Sequence, residues 1–311
     1  YFYRFTNRFD MGRYYTETVY EDNRFVVYKN PHSFPLVYGT NSLVKNIQFG
    51  ANNAFANQNI ILNSMEGHQK NTGDYVEYFK PLAFTGIETE NLIEEKVNKD
   101  TGEAIYRRAD SSKEGIIRYK VIPQSNNTYY FFVPASLIPK QDYSVLVNNK
   151  WLPNSKTFTQ RQIWQLTDMT ENQESVIEFR FRTDAIDMSQ AGVYRAELDQ
   201  IQEVLEKRKQ QGLKVTKFSN THIEGNVTIT DDSDVMMTSI PYSAGWQVKV
   251  DGQSVPTERA WNSFLSFPIT KGKHKVEFVF KTRGSLIGAL LSIVAVVSLL
   301  IIRRRWKEEH A

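Results

Sequence analysis

The side chains whose types and spacing could do chemistry gather near the C-terminus: Pro241-Tyr242-Ser243-Ala244-Gly245-Trp246, then Asp251-Gly252, then Trp261-Asn262-Ser263-Phe264. Aromatic rings beside amide and carboxylate groups suit a sugar, whose apolar face stacks on a ring while its hydroxyls bind Asn or Asp. Tyr242, Asp251, Trp261 and Asn262 are therefore the carbohydrate-binding candidates. Trp246 is in phase with Val248 and Val250 on one strand face, which assigns it to the core. For Trp261 a stacking platform and a core ring are equally good readings, and Asn262 could simply cap a turn.

Other chemistries lack their residues. His32, His68, His222, His274 and His310 are scattered without a metal-binding spacing, so neither a metal nor another cofactor is implied. There is no Gly-rich phosphate loop and no Gly-x-Ser-x-Gly elbow. Absence of cysteine excludes a thiol nucleophile. Asp231, Asp232 and Asp234 resemble the start of a calcium loop but lack its Gly and distal Glu, which favours a solvated turn. Glu94-Glu95 and Asp100–Glu103 are best read as hairpin surface rather than an acid/base pair.

The elements that must position these residues are mostly strands. Aromatic residues make up 13% of the chain, with 16 Tyr and 19 Phe, a composition that favours sheets. Short runs recur from Tyr75 to Arg182: YVEYF, GIIRYKVI, TYYFFVPA, YSVLV, RQIWQL and VIEFRF. In the last, Ile177, Phe179 and Phe181 share one face and Glu178 and Arg180 the other. NKDTGE and VNNKW look like hairpin turns. Two helices interrupt the strands. One covers 51–66 and stops at Gly67; the other covers 196–211, with Leu198, Ile201, Val204 and Leu205 on one face, Glu203 and Lys207 as an i,i+4 pair, and Gly212 as its cap. WQVKVDGQSV is a hairpin turning at Asp251-Gly252, and FLSFPITKGKHKVEFVF is expected to be another, turning at Lys271-Gly272-Lys273.

The expected fold is mainly β, with two sandwich or jelly-roll-like units and a few short helices. Its segments are an N-terminal part (1–70), a first sandwich (71–195), a bridging helix (196–212) and a second β unit (213–283). A transmembrane helix (285–302) and a cytoplasmic tail (303–311) follow. The run from Ser285 to Ile302 holds no charge, and twelve of its eighteen residues are Leu, Ile or Val. As a helix it would rise about 27 Å, close to the hydrocarbon thickness of a bilayer. Arg303, Arg304 and Arg305, then Trp306, suit a cytoplasmic anchor with an interfacial aromatic. Residues 1–283 would then be extracytoplasmic. The chain opens at Tyr1 without an initiator Met or an export signal, which predicts earlier membrane segments. A net charge of +3 excludes an extended nucleic-acid surface.

The block 239–283, beginning SIPYSAGWQVKVDGQSVPTERAWNSF and followed by a last membrane helix, resembles the C-terminus of the YfhO family of bacterial multi-pass membrane proteins. VVYKNPHSFPLVYG (26–39), AFANQNIILNSMEG (54–67) and GVYRAELDQIQEVLEKRKQQGLKV (192–215) resemble further parts of that family. The family is similar to GT-C-type glycosyltransferases. The resemblance implies transfer of a sugar from a polyprenyl-phosphate carrier to a cell-envelope polymer such as (lipo)teichoic acid of Gram-positive bacteria. It also implies a place in the bacterial cell membrane and partners in both the glycopolymer and the lipid-linked sugar. The catalytic acid of such enzymes lies in an early outer loop with no match here, so no catalytic residue is carried over. The alternative is a non-catalytic envelope carbohydrate-binding or scaffolding module.

Overall fold

The computed structural model describes residues 2–3, 17–29, 33–50, 53–98, 103–133, 143–152, 162–282 and 284–309. The tip of the expected NKDTGE turn, 99–102, lies outside them. The fold is mainly β, as expected, and divides into two compact units. One comprises 1–34 and 47–207, the other 35–46 and 208–311.

In the first unit two antiparallel sheets enclose one core. The strand order is Gln162–Leu166, Thr128–Val133, Gly192–Ala196, Phe79–Leu82 in one, and Lys150–Trp151, Tyr143–Val147, Ser175–Phe181, Gly115–Val121, Gly86–Glu90 in the other. The alternation of VIEFRF holds on the core side: Ile177, Phe179 and Phe181 are buried there. Glu178, expected on the wet face, is buried too, because Arg118 Nε and Arg180 close on its carboxylate at 2.6 Å each. Thr128–Val133 reads as an unbroken apolar run because both its faces are covered. Tyr129 and Phe131 meet the other sheet's side chains, while the Tyr130 and Phe132 rings lie 5.7 and 6.2 Å from Phe55 of helix α1 (Ala54–Glu66). Helix α1 starts where the Asn53 side chain accepts from the Phe55 and Ala56 N–H groups, and stops at Gly67, whose φ of 84° a side chain would resist. Asn148 and Asn149, at φ 47° and 65°, make VNNKW the left-handed turn expected of it.

The second unit pairs a five-stranded sheet (Lys214–Phe218, His222–Ile229, Gly272–Phe280, Trp246–Val250, Gln253–Val255) with a four-stranded one (Glu258–Ala260, Phe264–Pro268, Val235–Pro241, Val37–Thr40). Phe267 and Phe278 meet edge to face between them at 5.5 Å. The expected hairpin from Phe264 to Phe280 does not form, since its two strands belong to different sheets and 269–271 carries the chain across the core. Each half alternates correctly, but alternation says which face is apolar, not which strand is the neighbour. Val37–Thr40, read from the sequence with the N-terminal segment, forms the edge of the four-stranded sheet here.

Helix α2 (Leu198–Gln210) keeps most of its expected face, with Ile201 and Leu205 half-buried beside Val204, and departs from it at two positions. Val204 is buried and Leu198 is 42% exposed, whereas Arg208, one turn beyond Val204, is 3% exposed. Lys207 binds Glu66 of α1 at 2.5 Å. Gly212 is required by contact rather than by dihedral, because a Cβ there would stand 2.5 Å from Pro35 Cγ. Helix α3 (Ser285–Glu309) runs past the expected end at Ile302 through Arg303, Arg304, Arg305 and Trp306. Its described apolar side chains, from Leu290 to Ile302, are about half exposed or more. Among the described residues no helix is long and apolar enough to cross a membrane. The side chains of residues 285–287, which complete the uncharged run, lie outside them.

Candidate functional site

Three of the four carbohydrate-binding candidates come together at one end of the second unit. The strand Val235–Pro241 ends at Tyr242, whose N–H donates to the Ser263 carbonyl at 2.8 Å. That bond holds Tyr242 against the turn Trp261-Asn262-Ser263, which joins Glu258–Ala260 to Phe264–Pro268. The Arg259 guanidinium sits 5.0 Å above the Tyr242 ring. The Trp261 ring meets Phe264 edge to face at 6.4 Å, and the backbone N–H of Trp261 donates to the Val44 carbonyl at 2.8 Å. Trp261 is half-buried and Asn262 exposed. Both have left-handed backbones, with φ of 45° and 59°. Asn tolerates that region; a bulky Trp there is an outlier that the surrounding contacts must hold.

Asp251 is elsewhere. It opens the left-handed Asp251-Gly252 turn (φ 52° and 81°), separated from the Tyr242 end by the strand Trp246–Val250, about 16 Å at ordinary strand rise. Its carboxylate accepts from His274 Nδ1 at 2.8 Å and from the Lys275 N–H at 2.8 Å. These bonds hold the carboxyl below the usual carboxylate range. Both oxygens are thus engaged in fastening the turn to the neighbouring strand. Trp246, assigned to the core from its phase, is half-buried against Phe280 at 5.1 Å.

Several polar groups became visible only in the fold. Arg208 donates to Asp231 and to Ser233 Oγ at 2.9 Å each. Asp234 accepts from the Ser42 N–H at 2.7 Å. Two of the three aspartates that mimic a calcium loop are therefore structural acceptors. The four-residue spacing from Val204 to Arg208 was the available signal, masked by the charge. Asn59 and Asn63 of α1 are buried, and their amides bond both backbone groups of Phe79 and Val76 at 2.7–3.0 Å, as a neighbouring strand would.

His222 Nε2 lies 2.8 Å from Glu224 and 3.2 Å from Glu277, a grouping that could in principle hold a cation. Lys217, Lys249 and Lys275 stand 3.5–3.7 Å from the same two carboxylates. Lys217, Glu224, Glu277 and Lys249 follow one another in strand register, so the cluster is a cross-strand charge row with its anions already met. In the first unit an open cleft of about 410 Å³ lies among Gly50, Asn53, Ser189, Gln190, Ala191 and Tyr194. The Asn53 amide is engaged there, donating to the Tyr194 hydroxyl at 2.5 Å.

Comparison with known proteins adds three findings. The β-glucuronidase from Ruminococcus gnavus and a glycosyl hydrolase family 2 member from Bacteroides cellulosilyticus DSM 14838 share with this chain only a loose likeness of shape. The TM-scores are 0.29 and 0.27 at 9% and 8% identity, over 67% and 66% of this chain and 43% and 32% of theirs. Likeness at that level carries no argument about function. The uncharacterized protein YfhO of Bacillus subtilis (strain 168) is 31% identical over 72 residues, 23% of this chain and 8% of that protein, so the match spans a small part of a much longer relative. Residues 4–292 match the family described as bacterial membrane protein YfhO, and the chain belongs to that family.

Proposed function

We propose that this chain is the extracytoplasmic C-terminal region of a membrane glycosyltransferase, anchored by α3 as a last transmembrane helix with its arginines on the cytoplasmic side. The full protein would transfer a sugar from a polyprenyl-phosphate carrier to a cell-envelope polymer such as (lipo)teichoic acid. The role assigned to residues 1–283 is positioning of the sugar or acceptor, not bond making. Membership in a membrane protein family, the uncharged run 285–302 and the arginines after it support the anchoring.

The observation that carries the positioning role is Trp261. A large aromatic held at φ 45° costs on the order of 1–3 kcal/mol that a Gly would avoid, and such outliers concentrate where a side chain serves something other than stability. Its ring would stack on a sugar face, with the exposed Asn262 amide beside it for hydroxyls. Tyr242, 2.8 Å from the same turn through its N–H, borders the loop whose Gly245 carbonyl accepts from Lys281 N–H at 2.9 Å. Lys281 is four residues before α3, a nearness that supports a site presented to a lipid-linked sugar.

A non-catalytic carbohydrate-binding or scaffolding module is the second reading; the ion-paired state of Glu178, Glu224, Glu277 and Asp231 fits it and fits equally a region that leaves bond making to other parts of the protein. Glycan analysis of envelope polymers from cells lacking the full-length gene separates the two. Loss of a sugar decoration, restored by the complete protein, supports transfer; an unchanged profile supports the module.

A further inference from the structure

The edge strand Lys214–Phe218 carries an apolar strip that its own unit leaves uncovered. Val215 pairs with Gly225 and Phe218 with Ile223, and directly opposed residues in an antiparallel pair point to the same side of a sheet. Ile223 is 3% exposed on the core side, so Val215 and Phe218 stand on that side as well. At the edge, beyond the reach of the opposing sheet, they are 41% and 66% exposed. Lys214 and Lys217, opposite Asn226 and Glu224, occupy the other face.

The position of this strip names its partner. The hairpin closes with the Ser219 N–H donating to the His222 carbonyl, and Phe280 N–H donates to the Thr221 carbonyl at 2.8 Å. Phe280 is the last residue of its strand, and α3 begins at Ser285, at most about 17 Å of extended chain away. An exposed Phe with an exposed Val on the same face, a few residues from a membrane entry point, suits the boundary between acyl chains and headgroups. Opposite this end, the Asp251 turn is a strand length away and polar. We propose that the hairpin 214–222 is a second membrane contact, with Phe218 seated in the headgroup region and Val215 at its rim. This rests on the reading of α3 as a transmembrane helix.

The chain has no cysteine, so single substitutions can carry a nitroxide label. Phe218→Cys, Ala295→Cys in α3 and Gln253→Cys beside the Asp251 turn are labelled in the whole chain and reconstituted into phosphatidylethanolamine–phosphatidylglycerol vesicles. Accessibility to oxygen and to a water-soluble nickel chelate is then measured. The expected result is deep burial at 295, full nickel access at 253, and several-fold lower nickel access at 218 with a rise in oxygen access. Nickel access at 218 equal to that at 253, with 295 buried, overturns the contact and leaves the anchor standing. Shielding of 218 from both reagents overturns it in favour of a protein cover. Water access at 295 removes the anchor and the contact together.

Discussion

The two sandwiches are built on different cores. The first is aromatic: Tyr119, Phe131, Tyr143, Trp164, Phe179 and Phe181 form a connected set of ring contacts, all supplied by strands between 115 and 181. The second is mostly aliphatic, with Val37, Ile223, Val227, Met236, Leu265 and Val276, and one of its strands arrives from far upstream. A distant strand with an apolar face can slide by two residues and keep that face inward. Polar bonds oppose this here: Arg208 donates to the Gly39 carbonyl at 3.4 Å, the Ser42 N–H to Asp234, and the Gly39 N–H to the Gln211 carbonyl at 3.0 Å. Ring packing fixes a core assembled from neighbouring chain, whereas directional polar bonds fix the register of a strand brought in from a distance.

The comparison can be broken most directly in the aromatic core. Phe179→Ala should lower unfolding stability by about 4 kcal/mol in urea denaturation, since the ring is fully buried and stacked 5.6 Å from Tyr143. A loss under about 1 kcal/mol would mean the ring cluster is not what holds the first sandwich. Arg208→Ala should cost about 3 kcal/mol by leaving Asp231 without its buried partner. Proteolysis near residues 35–46 should rise with it; unchanged cleavage there would show that register needs no clamp. Trp246→Ala should cost about 2 kcal/mol, below a full core truncation because the ring is half-buried.

Trp261→Gly should change stability by less than about 1 kcal/mol, relief of the left-handed backbone offsetting lost contacts, while weakening binding to purified envelope polymer. Marked unfolding would make the ring a core residue. The smallest effect belongs to Asp251. Its folded-state carboxyl lies below the unfolded value, so its contribution is present above that value, near 3.9, and fades as the pH falls below it. Asp251→Asn should flatten the acid end of the stability profile, and a profile unchanged between the two proteins would remove the role given to its bond with His274.

The candidate site was half legible. Tyr242, Trp261 and Asn262 were found by residue type and lie together; Asp251 was grouped with them by closeness in sequence, but an intervening strand carries it to the other end. Alternation in VIEFRF, the Asn148-Asn149 and Asp251-Gly252 turns, and the Gly67 end of α1 were readable because each depends on residues within a few positions of one another; the sequence pattern places the start of α1 at 51, whereas the Asn53 cap begins it at Ala54. The Arg208 clamp was hidden, since a charged residue at a buried helix position looks like surface until its partners from residues 39 and 231–233 are in place.

What the sequence by itself determined was local and compositional: strand-rich chemistry, turn positions, helix ends, and an uncharged eighteen-residue run closed by three arginines. These follow from backbone sterics and from the period of the side chains, which act over a few residues. The tertiary structure alone decided that Phe264–Pro268 and Gly272–Phe280 part into different sheets, that Val37–Thr40 completes the second unit, and that Glu178 and Arg208 are buried. Those outcomes depend on which apolar faces meet and on whether a buried charge finds its partner, and neither is written in the order of neighbouring residues.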